Sequence, residues 1–166
     1  MTPEPHDISL AVAGSEVRLR WNPGTPEGEP ASAWELASQP DWDRVEAIRL
    51  ISAVFEDGAV MGVAAVRPRD AHGHGDDGVA ARFLDPDGIP VEASEALVSV
   101  EYDPARHPRR LGIELWPEAD SPPLRIAADR DTAVEHPAGE GREAVAMKFR
   151  LGGVTGGGLY ETVQPS

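Results

Sequence analysis

The sequence predicts an antiparallel all-β domain, closed into a barrel or flattened into a sandwich of about eight to ten strands. Three observations carry that expectation. Apolar residues recur at every second position in several short runs, which is the period of a half-buried strand. Glycine and proline, 17 and 16 of 166 residues, are scattered between those runs as turn signals rather than gathered in one linker. Lastly, the stretch 142–161, REAVAMKFRLGGVTGGGLYE, reads as two strands joined by glycines. In it Val145, Met147, Phe149 and Leu151 alternate with Ala144, Ala146, Lys148 and Arg150, so one face is apolar. The glycines between 152 and 158 then allow the bending or close approach that a curling sheet requires.

Taken in order, residues 8–13 and 16–21 flank Gly14 and Ser15, a two-residue connection of the hairpin type. Residues 22–31, NPGTPEGEPA, have too little apolar surface to order themselves and are expected to form a loop or lid. Residues 32–39 fit a short strand or one helical turn. For 41–55 two patterns compete. Val45, Ile48, Ile51 and Phe55 fit a helix begun by Asp41 or Asp43, whereas Ile48, Leu50, Ser52 and Val54 share a face in a strand. The sequel favours the strand, because Glu56, Asp57 and Gly58 form a hairpin signal leading into the apolar run 59–66.

An exposed loop is expected at 67–78, followed by strands at 79–84 and 89–91 around a DPDG turn. Further strands are expected at 96–102, 111–116, 124–128 and 132–135, with a basic loop at 104–110. One domain, 1–166, with a flexible N-terminus accounts for the length.

Fifteen lysines and arginines stand against 29 aspartates and glutamates, a formal charge of −14 that argues against nucleic acid or an anionic membrane surface as partner. No cysteine is present, which excludes disulfides, thiolate metal sites and a cysteine nucleophile, and is compatible with a reducing cytoplasm. The N-terminus lacks the basic and apolar segments of a signal peptide, and no run approaches the roughly 20 apolar residues of a membrane span. No P-loop, dinucleotide fingerprint or G-x-S-x-G elbow occurs, so a cofactor-free reading is left. His72, His74, Asp76 and Asp77 have metal-ligand chemistry, but alternation with glycine gives them no scaffold, and no metal is expected.

The order of motifs resembles a known family. A strand ending in a DG turn (55–58), an apolar strand leading to Val66 and Arg67, and a strand ending in DPDG (83–88) are three of them. A histidine and proline before a strand ending in WP (107–117) and a closing G-x-x-G-G-G-x-Y-E (153–161) continue the series. Together they resemble the C-terminal barrel unit of the lipocalin-like hydroxyneurosporene synthase, or carotenoid hydratase, family over residues 42–163. Members usually carry two such units, and their closing motif is commonly G-Y-x-E, whereas Tyr160 here directly precedes Glu161. The resemblance implies a lipocalin-like barrel around an apolar cavity. Such cavities serve water addition to polyprenyl chains or cyclisation of polyketide-derived chains, Diels–Alder reactions included.

The polar groups in such an interior are the candidate site. Glu161 stands where the family has its motif carboxylate; buried in an apolar cavity it would protonate an alkene or bond a carbonyl, and at a barrel corner it would bind backbone amides instead. Tyr160 would donate a hydrogen bond into the cavity or mark a barrel end, and Glu35 is a further candidate acid. Trp34 and Trp42, with Trp21, flank the first long loop and would line a flat unsaturated ligand or simply pack. Arg49 is the one cation in its apolar run, either solvated at alternating spacing or turned to a ligand. Trp116 would cover a barrel mouth, while Met147 and Phe149 would contact the ligand. If Ile113 and Leu115 face the lumen, Glu114 is solvated.

Two functions of different class follow. One is a cofactor-free cyclase, hydratase or isomerase acting on a polyene, isoprenoid or polyketide-derived chain, with proximity supplying roughly 7–11 kcal/mol. The other is a hydrophobic-ligand-binding or structural barrel without chemistry, possible as a homodimer through its sheet edges. A cavity filled by Phe55, Met61, Met147 and Phe149 would count against the enzyme.

Overall fold

The two most continuous apolar runs of the sequence become neighbouring strands that are covered on both faces. The computed structural model describes residues 5–23, 33–72, 77–93, 95–105, 107–117, 122–131 and 142–165. Strands are β1 (His6–Val12), β2 (Ser15–Trp21), β3 (Trp34–Leu36), β4 (Val45–Phe55), β5 (Val60–Pro68) and β6 (Gly78–Leu84). They continue as β7 (Pro90–Glu92), β8 (Glu95–Tyr102), β9 (Pro108–Trp116), β10 (Leu124–Arg130), β11 (Arg142–Leu151) and β12 (Val154–Val163). No helix occurs among the described residues, and none is therefore long and apolar enough to cross a membrane.

All pairings are antiparallel. A three-stranded sheet runs β1-β2-β3, and a nine-stranded sheet runs β7-β6-β5-β4-β12-β11-β10-β9-β8. The large sheet curls into a half-barrel until β8 meets β6, so the expected all-β, lipocalin-like architecture is the one found. The expected strand at 132–135 and most of the loop at 22–31 fall outside the described residues.

Local chemistry accounts for the turns. The amides of Arg44 and Val45 both bond the Asp41 carbonyl, at 3.0 and 2.9 Å, making one turn; from Val45 the chain is extended, so the strand reading of 41–55 prevails from that point. Between β1 and β2 the turn residues are Ala13 and Gly14, with φ of 53° and 77°, one position earlier than expected. Two left-handed residues in succession match the right-handed twist of the flanking strands.

Alternation along β4 divides its side chains between two cores. Ile51, Ala53 and Phe55 point into the concave side, joined by Met61, Val63, Phe83, Leu111, Ile113, Leu115, Met147, Phe149 and Tyr160. Ile48 and Leu50 point to the convex side, where the small sheet covers them with Val17, Leu19, Trp21 and Trp34. Phe55, Met61, Met147 and Phe149 are each at most 1% exposed, so the deep interior is occupied by side chains.

Glycines in β12 set how closely it lies on β4. A Cβ on Gly158 would stand 1.8 Å from the Ser52 carbonyl oxygen, and one on Gly156 2.5 Å from that of Val54. Backbone cannot yield as a side chain can. Gly158→Ala is therefore expected to lower stability in urea by roughly 1–3 kcal/mol or more. Gly157→Ala, whose methyl meets open space, should stay within about 0.5 kcal/mol of the parent. Equal midpoints for the two variants would contradict the close approach.

Candidate functional site

Polar side chains break the apolar concave face at one end of the half-barrel, the end where β4, β6 and β9 begin and β8 and β12 finish. Arg49 lies between Ile48 and Leu50 in sequence, so alternation turns it to the face of Ile51. Its side chain is 10% exposed and its Nη2 donates to Oδ2 of Asp77 at 2.8 Å; the Asp77 side chain is 1% exposed. The solvated reading of Arg49 is thus corrected, because Asp77, one residue before β6, closes over it as a counter-ion. That placement also corrects the expectation of a wholly exposed loop at 67–78.

Tyr160 stands diagonally beside Arg49, since Tyr160 pairs with Ile51 and Thr162 with Arg49. Only 2% of it is exposed. Burial pushes its phenol up to about 12, with Tyr102 adding to the rise and Arg49 opposing it. Tyr102 ends edge strand β8 after a register shift at Glu101, is 49% exposed, and follows the inward-facing Val98 and Val100. Nearby Arg130 bonds Asp103 at 3.1 Å. A backbone bond from His107 is the largest cause holding the Asp103 carboxyl below its ordinary value; Arg130 adds to this and burial opposes it.

Glu161 is not in that interior. It pairs with Leu50 and so faces the convex side, 2% exposed, where its Oε2 accepts from Nε of Arg142. Arg142 also donates through Nη2 to the Trp34 carbonyl at 3.0 Å, tying the small sheet to the large one. Oε1 of Glu161 and Nε1 of Trp21 are buried with no hydrogen-bond partner among the described residues. The expectation of a carboxyl in the apolar cavity fails on parity: consecutive residues of one strand cannot both face inward.

The remaining candidates scatter. Trp34 is 2% exposed and its indole donates to the Ile51 carbonyl at 2.9 Å. Half-buried Trp42 packs on the convex core and its carbonyl accepts from Arg69 at 2.6 Å. Glu35 is exposed opposite Arg20 on the outer side of the small sheet. Half-buried Trp116 lies at the far end of the barrel, on the opposite face from the buried Ile113 and Leu115. Met147 and Phe149 belong to the packed interior. Among the predicted residues, then, the structure joins Arg49 and Tyr160. Asp77 was singled out only for metal-ligand chemistry, and Tyr102 and the Asp103–Arg130 pair were missed, since nothing local marks a strand-end tyrosine or a pair 27 positions apart. His74 and Asp76 lie outside the described residues, and no group of three or more potential metal ligands occurs among those described.

At the same end a groove of about 450 Å³, open to solvent, runs between the β1–β2 turn and the β5–β6 connection. Val12, Ala13, Pro68, His72 and Asp77 are among its walls. Asp77 therefore belongs both to the groove and to the buried pair with Arg49.

A curled antiparallel sheet with a polar cluster at one end of an apolar interior defines an all-β protein of lipocalin-like class. No protein-family model and no curated protein matches the chain. A crystal structure from Nitrosomonas europaea, of a protein provisionally named AttH, superposes with a TM-score of 0.56 at 14% identity, over 90% of this chain and 49% of that one. The chain thus spans about half the length of the structure it matches. At this identity the likeness establishes the fold.

Breaking the buried pair from either side is expected to cost about 3–5 kcal/mol. Arg49→Met combined with Asp77→Leu should cost less than the two single changes together, measured by a double-mutant cycle in urea; additive losses would show the two side chains to be uncoupled. Tyr160 makes a separate prediction. The folded protein holds its proton up to about 12 and the unfolded chain releases it near 10.0. The contribution of the neutral phenol is therefore complete below pH 10 and lost as pH rises toward 12. Tyr160→Phe should remove about 2–3 kcal/mol of the fall in stability over that window. Parallel pH curves for parent and variant would contradict this.

Proposed function

We propose that the chain recognises a hydrophobic small molecule at the polar end of its half-barrel. The observation that carries the reading is the placement of Arg49, Asp77 and Tyr160, all nearly buried, on a concave face that is otherwise apolar. Apolar walls with a few convergent polar groups are the usual make-up of a small-molecule site. A buried ion pair brings little net stability compared with an apolar substitute, so packing alone gives no reason for it. A groove lined by Val12, Pro68, His72 and Asp77 opens to solvent beside the pair. The likeness of the motif order to hydroxyneurosporene synthases supports the same ligand class.

Because Phe55, Met61, Met147 and Phe149 occupy the deep interior, the ligand sits at the mouth rather than along the barrel axis. This favours recognition over the enclosure of a long reacting chain. A second reading, a cofactor-free cyclase or hydratase, draws on Tyr160 alone: a phenol that keeps its proton beside a guanidinium is equipped to bond a developing negative charge.

Half-buried Val145 lines the mouth next to its cross-strand partner Tyr160. Val145→Trp is expected to weaken binding of diphenylhexatriene, followed by fluorescence, at least about tenfold, whereas Ile89→Trp at the opposite end should leave it unchanged. No saturable binding by the parent protein, or equal loss in both variants, would remove the reading. Turnover of a candidate polyene that Tyr160→Phe abolishes would select the enzyme.

A further inference from the structure

We propose that the apolar part of the ligand lies in a seam between β6 and β8, which makes the ligand slender and chain-like rather than a compact ring system. This deepens the reading of the polar end as a hydrophobic-ligand site and rests on it.

The seam comes from one run of chain that changes neighbours. Residues 90–92 pair with β6, as Val91 does with Phe83, and residues 95–102 pair with β9, as Val98 does with Ile113. The two ends of the nine-stranded sheet are therefore the consecutive strands β7 and β8, and β8 also touches β6. No ladder joins β6 to β8 among the described residues. Alternation supplies the reason. Val91 and Ala93 pack on the concave core, and so do Ala96, Val98 and Val100. From 93 to 96 is an odd step, so the alternation of faces is broken once between them, as an extra residue in a strand breaks it. Past that point the ladder is made with β9.

Where a ladder is missing, side chains alone hold two strands together, and the apolar surface between them stays within reach of a ligand. Exposure follows this pattern. On the inner strands Ile51, Ala53, Phe55, Met61 and Val63 are closed off, each at most 1% exposed. Val79 on β6, and Ala96 and Val100 on β8, belong to the same core and are only partly buried. Ala81 and Val98 on these two strands are each 4% exposed, so the opening is a shallow slot and not a passage to the deep interior.

Position ties the slot to the polar end. Val79 is two residues after Asp77, and Val100 is two residues before Tyr102 at the close of β8. From Ala96 to Val100 an extended strand covers about 13 Å. An opening of that length between neighbouring strands admits one extended chain lying along them, whereas a fused ring system would have to force β8 away from β6. A polar head beside Arg49, Asp77 and Tyr160, with a chain running along β8, uses both features at once.

Because the sequence contains no cysteine, a single introduced thiol reports one position. Val79→Cys and Val100→Cys mark the two walls, and Val154→Cys on β12, in the middle of the large sheet's strand order, is the control. Each is labelled with a small polar maleimide in the intact chain, with and without saturating diphenylhexatriene. The probe is expected to slow labelling of both walls at least about tenfold and to leave the control unchanged. In the parent, dodecanol should displace the probe at a concentration at least about tenfold lower than a fused-ring steroid alcohol requires. Walls that do not label in the free protein, walls left unprotected, equal protection of the control, or displacement by both alcohols alike would each overturn the proposal. The displacement arm uses the parent chain and decides the matter even if the cysteine variants fail to fold. If diphenylhexatriene does not bind the parent saturably, the hydrophobic-ligand reading itself falls, a result distinct from saturable binding that leaves the walls unprotected.

Discussion

Burial of β4 and β5 on both faces is the constraint from which the rest of the architecture follows. An antiparallel sheet commonly keeps one face in water, yet these strands carry apolar residues at nearly every position and are buried along most of their length, Glu46 being the exposed exception. Two separate partners are therefore needed. The curl of the nine-stranded sheet provides one by folding its own concave face inward, and the three-stranded sheet provides the other by capping the convex side. Gly62 belongs to the second contact: a Cβ there would lie 2.5 Å from the Trp21 indole, so the ring rests directly on the backbone of β5.

The same alternation sorts the polar residues. Tyr160 and Glu161 are consecutive, both nearly buried, and they serve different halves of the molecule because a strand turns successive side chains to opposite faces. Tyr160 joins Arg49, Asp77 and Tyr102 on the concave side. Glu161 joins Arg142, whose guanidinium reaches the Trp34 carbonyl across 108 positions of sequence and holds the small sheet in place. One ion pair locks the two sheets together and the other sits beside the groove, a division of labour set by a single residue's offset.

The outer faces carry the solvation. Arg110, Asp129 and Arg150 form a run of exposed pairs across β9, β10 and β11, and bonds from Arg150 first and Arg110 second hold the Asp129 carboxyl below its ordinary value. Such exposed pairs contribute little stability singly. They do keep the convex side of these strands polar, so the apolar side of each has one direction in which to face.

By itself the sequence determined the strands and the turns between them. Val145, Met147 and Phe149 announced an inward face by period alone, and Asp57-Gly58 and Asp87-Gly88 announced hairpins through the left-handed glycines that the structure contains, at φ of 96° and 80°. These are local properties, fixed by neighbours within a few positions. Tertiary structure alone decided which polar residues meet. Arg49 and Asp77 are 28 positions apart and Tyr102 is 58 from Tyr160; no local pattern links them, because their contact depends on the registers of several intervening strands and on how far the sheet curls. The fate of Arg49 depended on the same thing: alternation named the face it would occupy, and only the closure of Asp77 over that face made it a buried ion pair rather than a solvated cation.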